Sequence, residues 1–409
     1  MNALVVGAGL RNKGAQSMLF ITVDEIKKRF NNCTIYFASA DSYDESQYAF
    51  KNLHYSDRGK IIALGGVSAL VMLVFSLCKD FIKIILGKKD FLGHYFDVKN
   101  NMKKMDIMID ISGFGLGDKW SLQRNRSYLN NIRLAQKYHI PLYCMPQSFG
   151  PFSDSHRMRR ITTDIMKLMP YPKVIYVREL QGYDLLCSKF SLTNVRLSAD
   201  LVLQNKGINW CNILTKKPMI SLPLVEKKNL VGIIPNSQCF SRGDKTKILD
   251  TYFEIISYML DLGKVVYIMR HSQEDLGVCR EISDIFREKK NFFLLENDFS
   301  CFEFDSFIPN FEYIVCSRFH GIVHAYKNGI PSIALGWANK YFDLAKCVDQ
   351  EEFAFDITSS NFEPEIILNA VKYMSANFEK EQFKIKKNLI AIQKNNCFDI
   401  LGELGQSDE

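Results

Sequence analysis

Short apolar runs rich in β-branched residues alternate with longer segments whose apolar positions recur every three to four residues, and the chain does this twice. That alternation leaves few folds open. A run too short to be a helix reads as a strand, and a strand followed by a helical crossover returns parallel to its neighbour. The first block gives strands at 3–6, 34–38, 106–111, 141–145, 174–177 and 195–198, with helical spacing at 121–138 and 180–189. After Gly207 the pattern is interrupted by Pro218, Pro223 and the lysines Lys216, Lys217, Lys227 and Lys228. It resumes with strands at 230–234, 265–269, 292–295, 313–316 and 332–335 and a helix at 246–262. The expectation is an α/β chain of two doubly wound, Rossmann-like domains facing a cleft. An N-terminal domain spans 1–206, a linker 207–228, a second domain 229–375 and a helical tail 376–409.

Hydrophobic residues make up 47% of the 409, enough for two cores. The formal charge of +7 is spread thinly, which suits a small anionic substrate or an anionic membrane surface and argues against nucleic acid as a partner. Eleven cysteines stand singly, with no metal-ligand spacing, and read as reduced thiols of a cytoplasmic protein. The opening residues lack a signal peptide's basic region and cleavage site and read as a first strand. Residues 61–78, beginning at Ile61, are uncharged and apolar, and are followed by Lys79, Lys83, Lys88 and Lys89. Three readings stay open: a membrane span, which would split the first sheet; a buried helix; or peripheral contact of the segment from Ile61 to Lys89 with the inner membrane surface.

In doubly wound sheets ligands bind beyond the carboxyl ends of the strands, so the strand-to-helix loops carry the candidates. The first loop, Gly7 to Ser17, holds Asn12, Lys13 and Gly14, and reads either as an anion-binding turn at a helix start or as a plain turn. The second, Asp110-Ile-Ser-Gly-Phe-Gly-Leu-Gly-Asp118, offers Asp110, Ser112 and Asp118 to sugar hydroxyls or as a base, or else uses the carboxylates as caps. Gln147 and Ser148 lie in a proline-stiffened third loop, Arg178 follows the next strand, and Asp200 ends the last. In the second domain, Ser317-Arg-Phe-His-Gly321 runs from a strand into a helix and sets Arg318 and His320 at a helix N-terminus, where an anion is favoured. Lys340 reaches the same rim.

These residues carry a resemblance. Asn12-Lys-Gly-Ala, the loop from Asp110 to Asp118, Gln147-Ser-Phe-Gly-Pro151, Val177-Arg178, Ala199-Asp200 and Ser317-Arg-Phe-His-Gly321, followed by Gly329-Ile-Pro331 and Lys340, resemble the polysaccharide pyruvyl transferase family over roughly residues 3–345. The resemblance implies a fold like that of the GT-B glycosyltransferases, with phosphoenolpyruvate as donor and a pair of sugar hydroxyls as acceptor, on a free or lipid-linked saccharide. This chain has Arg11-Asn-Lys-Gly-Ala-Gln16 where many members have Gly-Asn-x-Gly-Asp-Glu, and Ser112-Gly-Phe-Gly where many have three successive glycines. Under this reading His320 and Asp118 are catalytic. Arg178, Arg318, Lys340, Ser317 and Gly321 bind donor, and Asn12, Lys13, Gly14, Asp110, Ser112, Gln147 and Ser148 bind acceptor. No metal or cofactor is expected. The alternatives are a nucleotide-sugar glycosyltransferase of like architecture and a non-catalytic glycan-binding relative.

Overall fold

A computed structural model describes residues 1–41, 43–85, 96–222 and 228–405. The first sheet contains β1 (Asn2–Val6), β2 (Thr34–Ser39), β3 (Lys51–His54), β4 (Ile107–Asp110), β5 (Leu142–Gln147), β6 (Val174–Val177) and β7 (Val195–Leu197). Their order is β3-β2-β1-β4-β5-β6-β7, all parallel. The second sheet contains β8 (Leu230–Ile234), β9 (Val265–Met269), β10 (Phe292–Leu295), β11 (Tyr313–Cys316), β12 (Ser332–Gly336) and β13 (Ala354–Asp356), in parallel order β10-β9-β8-β11-β12-β13. The direction of winding reverses between β1 and β4 and again between β8 and β11. A crevice opens at such reversals, and the two crevices face each other.

Central strands are apolar on both faces, as helices on both sides of a parallel sheet require; β4, β5, β6, β8, β9, β11 and β12 are buried at every position. Every strand expected from the sequence is present. Two were not expected, β3 and β13, and both are edge strands that leave part of their length accessible.

The domains are joined by more than the linker. Helix Lys13–Arg29 packs against helices Cys301–Phe307 and Phe319–Lys327 of the second domain, with the Phe20 and Phe302 rings stacked at 5.4 Å. The boundary drawn at 375/376 falls inside one helix, Pro364–Ile392. The segment after it returns to the first domain, where Cys397 N–H donates to Gln204 (2.8 Å) and Arg29 pairs with Asp399 (2.6 Å).

The apolar stretch at 61–78 breaks in two. Helix Asp57–Leu64 stops at Gly65 and helix Gly66–Ile85 starts at once, both glycines holding φ near +79°, a region open to glycine at little cost. The buried-helix reading holds for Ile62 and Ala63 and fails beyond the break, where Val67, Leu70, Val71, Val74 and Phe75 are exposed. No described helix is long and apolar enough to cross a membrane. Lys88 and Lys89 lie outside the described residues.

Candidate active site in the interdomain cleft

The turn after β11 is held from several sides. Ser317 Oγ shares a hydrogen bond with the Tyr252 hydroxyl (2.9 Å), and its carbonyl accepts from Asn236 (3.0 Å) and Tyr341 (3.1 Å). Ser317 is fully buried by this, so it fixes the turn. Gly321 sits where a Cβ would come within 2.6 Å of Cys316 Sγ. In the first turn of helix Phe319–Lys327, His320 crosses to the first domain and lies on Gly14: a Cβ there would fall 2.2 Å from the imidazole Cγ. Position 14 is glycine because another side chain occupies its space. Gly14→Ala, which elsewhere in a helix stabilises by about 1 kcal/mol, is expected here to displace His320 and to slow any step that needs that ring in place on the order of a hundredfold. Steady-state rates of the variant test this.

The imidazole Nε2 of His320 has no hydrogen-bond partner and stands 3.9 Å from Asp200 Oδ2. Burial drives its pKa down to about 3; Asp200 pulls the other way, while Arg178 pushes further down. The ring is therefore neutral at ordinary pH in the ligand-free protein. His271, at the carboxyl end of β9, is also buried, with both ring nitrogens unpartnered and its pKa driven well down, chiefly by burial.

Arg178, buried at the end of β6, donates from Nε to Ser148 Oγ (2.8 Å) and from Nη1 to Asp200 (2.7 Å), and stacks 4.3 Å from the Phe319 ring centroid. Ser148 in turn donates to Glu179. Arg318 is gripped by Asp275 (2.8 and 2.5 Å) and Glu274 (2.6 Å). Both guanidinium groups are thus neutralised, yet each keeps one nitrogen (Nη2 of Arg178, Nη1 of Arg318) without a hydrogen bond among the described residues.

Two cavities meet at Lys340. One, of about 290 Å³, is lined by Arg124, Arg178, Arg318, His271 and His320, with Asn12, Ser112, Asn236 and Gln238; among the described residues no carboxylate lines it. The other, of about 320 Å³, is lined by Ser148, Glu179, Lys119, Asn339, Asp343 and Asp356. Phe114, Trp337 and Lys340 line both. The Lys340 ammonium lies 5.0–5.7 Å from the centroids of Phe319, Trp337, Phe114 and Tyr341, and forms no ion pair or hydrogen bond among the described residues. Burial, then the Arg178 charge, lowers its pKa to about 7, against the pull of Glu179.

The remaining candidates hold other posts. Asn12 lines the first cavity and caps helix Lys13–Arg29, accepting from Ala15 N–H (3.2 Å). Lys13 spends its buried ammonium across the cleft on the His271 carbonyl (2.9 Å) and Asp298 (3.0 Å). Asp110 is buried beneath the loop, accepting from Ser112 N–H (2.9 Å), Asn131 (3.4 Å) and Gln147 (3.5 Å), and its pKa is raised by burial. Asp118 accepts from Ser153 N–H (2.7 Å) and lines neither cavity. Sequence reasoning missed His271, Asn236, Arg124 and Trp337. His271, Asn236 and Trp337 follow β9, β8 and β12, a signal that was there to use; Arg124, within helix Leu122–Lys137, joins the site only through tertiary packing.

Solved structures share this architecture. UDP-GlcNAc 2-epimerase from Neisseria meningitidis, bound to UDP-GlcNAc, is 12% identical with a TM-score of 0.56 over 100% of both chains. UDP-GlcNAc 2-epimerase from Methanocaldococcus jannaschii gives 11% and 0.54, over 92% of this chain and 93% of that one. The α,α-trehalose 6-phosphate synthase from Burkholderia multivorans gives 9% and 0.52, over 100% and 97%. At such identities the likeness establishes the fold alone, two Rossmann-like domains in the GT-B manner. No curated protein sequence matches the chain. The polysaccharide pyruvyl transferase family model matches residues 12–339, which include every cleft residue from Asn12 to Asn339 and end one short of Lys340, and the chain belongs to that family.

Proposed function

We propose that the protein transfers the pyruvyl group of phosphoenolpyruvate to two hydroxyls of one sugar, forming a cyclic ketal on a bacterial surface polysaccharide or its precursor, in the cytoplasm. The observation that carries this reading is the first cavity: cationic side chains with unspent N–H groups and no carboxylate surround a neutral, unpartnered imidazole. A donor bearing a phosphate and a carboxylate needs such donors. The second cavity has the character of a sugar site, with the Trp337 and Phe114 rings beside carboxylates and amides that accept from hydroxyls, and a buried Trp337 Nε1–H without a partner.

The chemistry balances as follows. One sugar hydroxyl oxygen bonds to C2 of the donor as the C3 methylene takes a proton from His320 and becomes a methyl, and the proton this hydroxyl loses restores the imidazolium. A neighbouring hydroxyl then attacks C2, the C2–O bond to phosphate breaks, and the second hydroxyl proton leaves with phosphate. His320, brought to the protonated form by the bound anions, gives the proton to C3. Arg178 and Arg318 hold phosphate and carboxylate from opposite domains. Lys340, between the cavities, neutralises the leaving phosphate. Asp118, Asp110, Lys13 and Gln147 act by shaping loops and clamping the domains.

Incubation with phosphoenolpyruvate and extracted polysaccharide precursor is expected to release inorganic phosphate and leave an acid-labile ketal. Because Lys340 loses its proton around pH 7, donor affinity is expected to weaken as pH rises from 6 to 8, and less so in Lys340→Arg. Consumption of a nucleotide sugar with phosphoenolpyruvate untouched would sink the reading.

A further inference from the structure

Helix Gly66–Ile85 stands on helix Asp57–Leu64 and turns Val67, Leu70, Val71, Val74 and Phe75 outward. Val67 is 79% exposed, Val71 63% and Phe75 59%, a contiguous apolar side that single scattered surface residues do not make. At the root of this helix a groove of about 450 Å³ opens between Ile61, Leu64 and Ser68 on one side and Arg126, Arg133 and Arg160 on the other. Arg133 is paired with Asp164 at 2.7 Å. Arg126 and Arg160 are exposed and form no ion pair or hydrogen bond among the described residues. A further guanidinium, that of Arg58, lies 5.8 Å from the Phe75 ring centroid.

We propose that this face docks on an anionic bilayer, with helix Gly66–Ile85 lying along the surface, its apolar side in the acyl boundary and a lipid phosphate in the arginine groove at its root. Apolar residues rimmed by unspent guanidinium groups match the two layers of such a surface, hydrocarbon and phosphate. A second copy of the chain on a two-fold axis would instead bring the same arginines toward one another. The inference stands whichever sugar is the acceptor.

The test is flotation of the full chain with vesicles of phosphatidylcholine, with or without phosphatidylglycerol. The chain is expected to float with the anionic vesicles at low salt and to sink at high salt. Val71→Asp with Phe75→Asp lowers partitioning on the order of a hundredfold, since two side chains no longer enter hydrocarbon. Arg126→Ser and Arg160→Ser each lower it about fivefold on anionic vesicles only. All four positions are exposed, and an unchanged thermal melt checks the fold. A chain that stays at the bottom with both vesicles overturns the proposal. So does a dimer that Val71→Asp dissociates without lipid, which gives the face to a second copy.

Discussion

His320→Ala is expected to lower turnover by about a hundred- to ten-thousandfold, the usual cost of losing a positioned proton donor, while donor affinity stays close to wild type. The ring lies on Gly14 with its Nε2 unpartnered, and burial keeps it neutral with a pKa of about 3 in the free protein. To act as an acid it must take up a proton when the anionic donor arrives, because a nearby phosphate and carboxylate favour imidazolium. Donor binding at neutral pH should therefore absorb more protons in the wild type than in His320→Ala, read from binding enthalpies in two buffers of different ionisation heat. A purely structural histidine would leave proton uptake unchanged. Near-wild-type turnover in the variant removes His320 from the chemistry.

The central strands were legible because burial on both faces writes an unbroken apolar run. β6, β8, β9 and β11 were placed at their observed bounds, as was the edge strand β10, whose run Phe292-Phe-Leu-Leu295 is apolar throughout. β3 and β13 were not, since Lys51-Asn-Leu-His and Ala-Phe-Asp at sheet edges need no such run. In the site, strand-end logic found His320, Arg178, Arg318 and Lys340, all of which line the cleft cavities. What it could not find is who neutralises whom. Arg318 pairs with Glu274 and Asp275 from the loop after β9, and Lys13 with Asp298 from the opposite domain. The first pairing depends on how two loops of one sheet meet, the second on how two separately readable domains close. The same closure makes Gly14 necessary, and a single domain's pattern carries no trace of it.

Arg178→Ala is expected to do damage on two separate accounts. Its guanidinium is buried against Asp200 (2.7 Å) and holds Ser148, which is bonded to Glu179. Removing one partner of a buried pair strands the other charge, at a cost of about 3–5 kcal/mol in stability. In the proposed function its free Nη2 is also the cation offered to the donor, and losing a charge-assisted bond there costs about 1.5–3 kcal/mol of affinity, tenfold or more. The two effects separate in the double variant Arg178→Met, Asp200→Leu, which removes both charges and refills the space. Its melting temperature should recover part of the loss, because an apolar pair of similar volume replaces a buried ion pair at little cost, while the Asp200 cap on Val202 N–H and the cation facing Glu179 stay lost. Donor affinity should not recover. If titration of phosphoenolpyruvate gives the double variant wild-type affinity, Arg178 is a structural ion and the donor is held by Arg318, Arg124 and Lys340 without it.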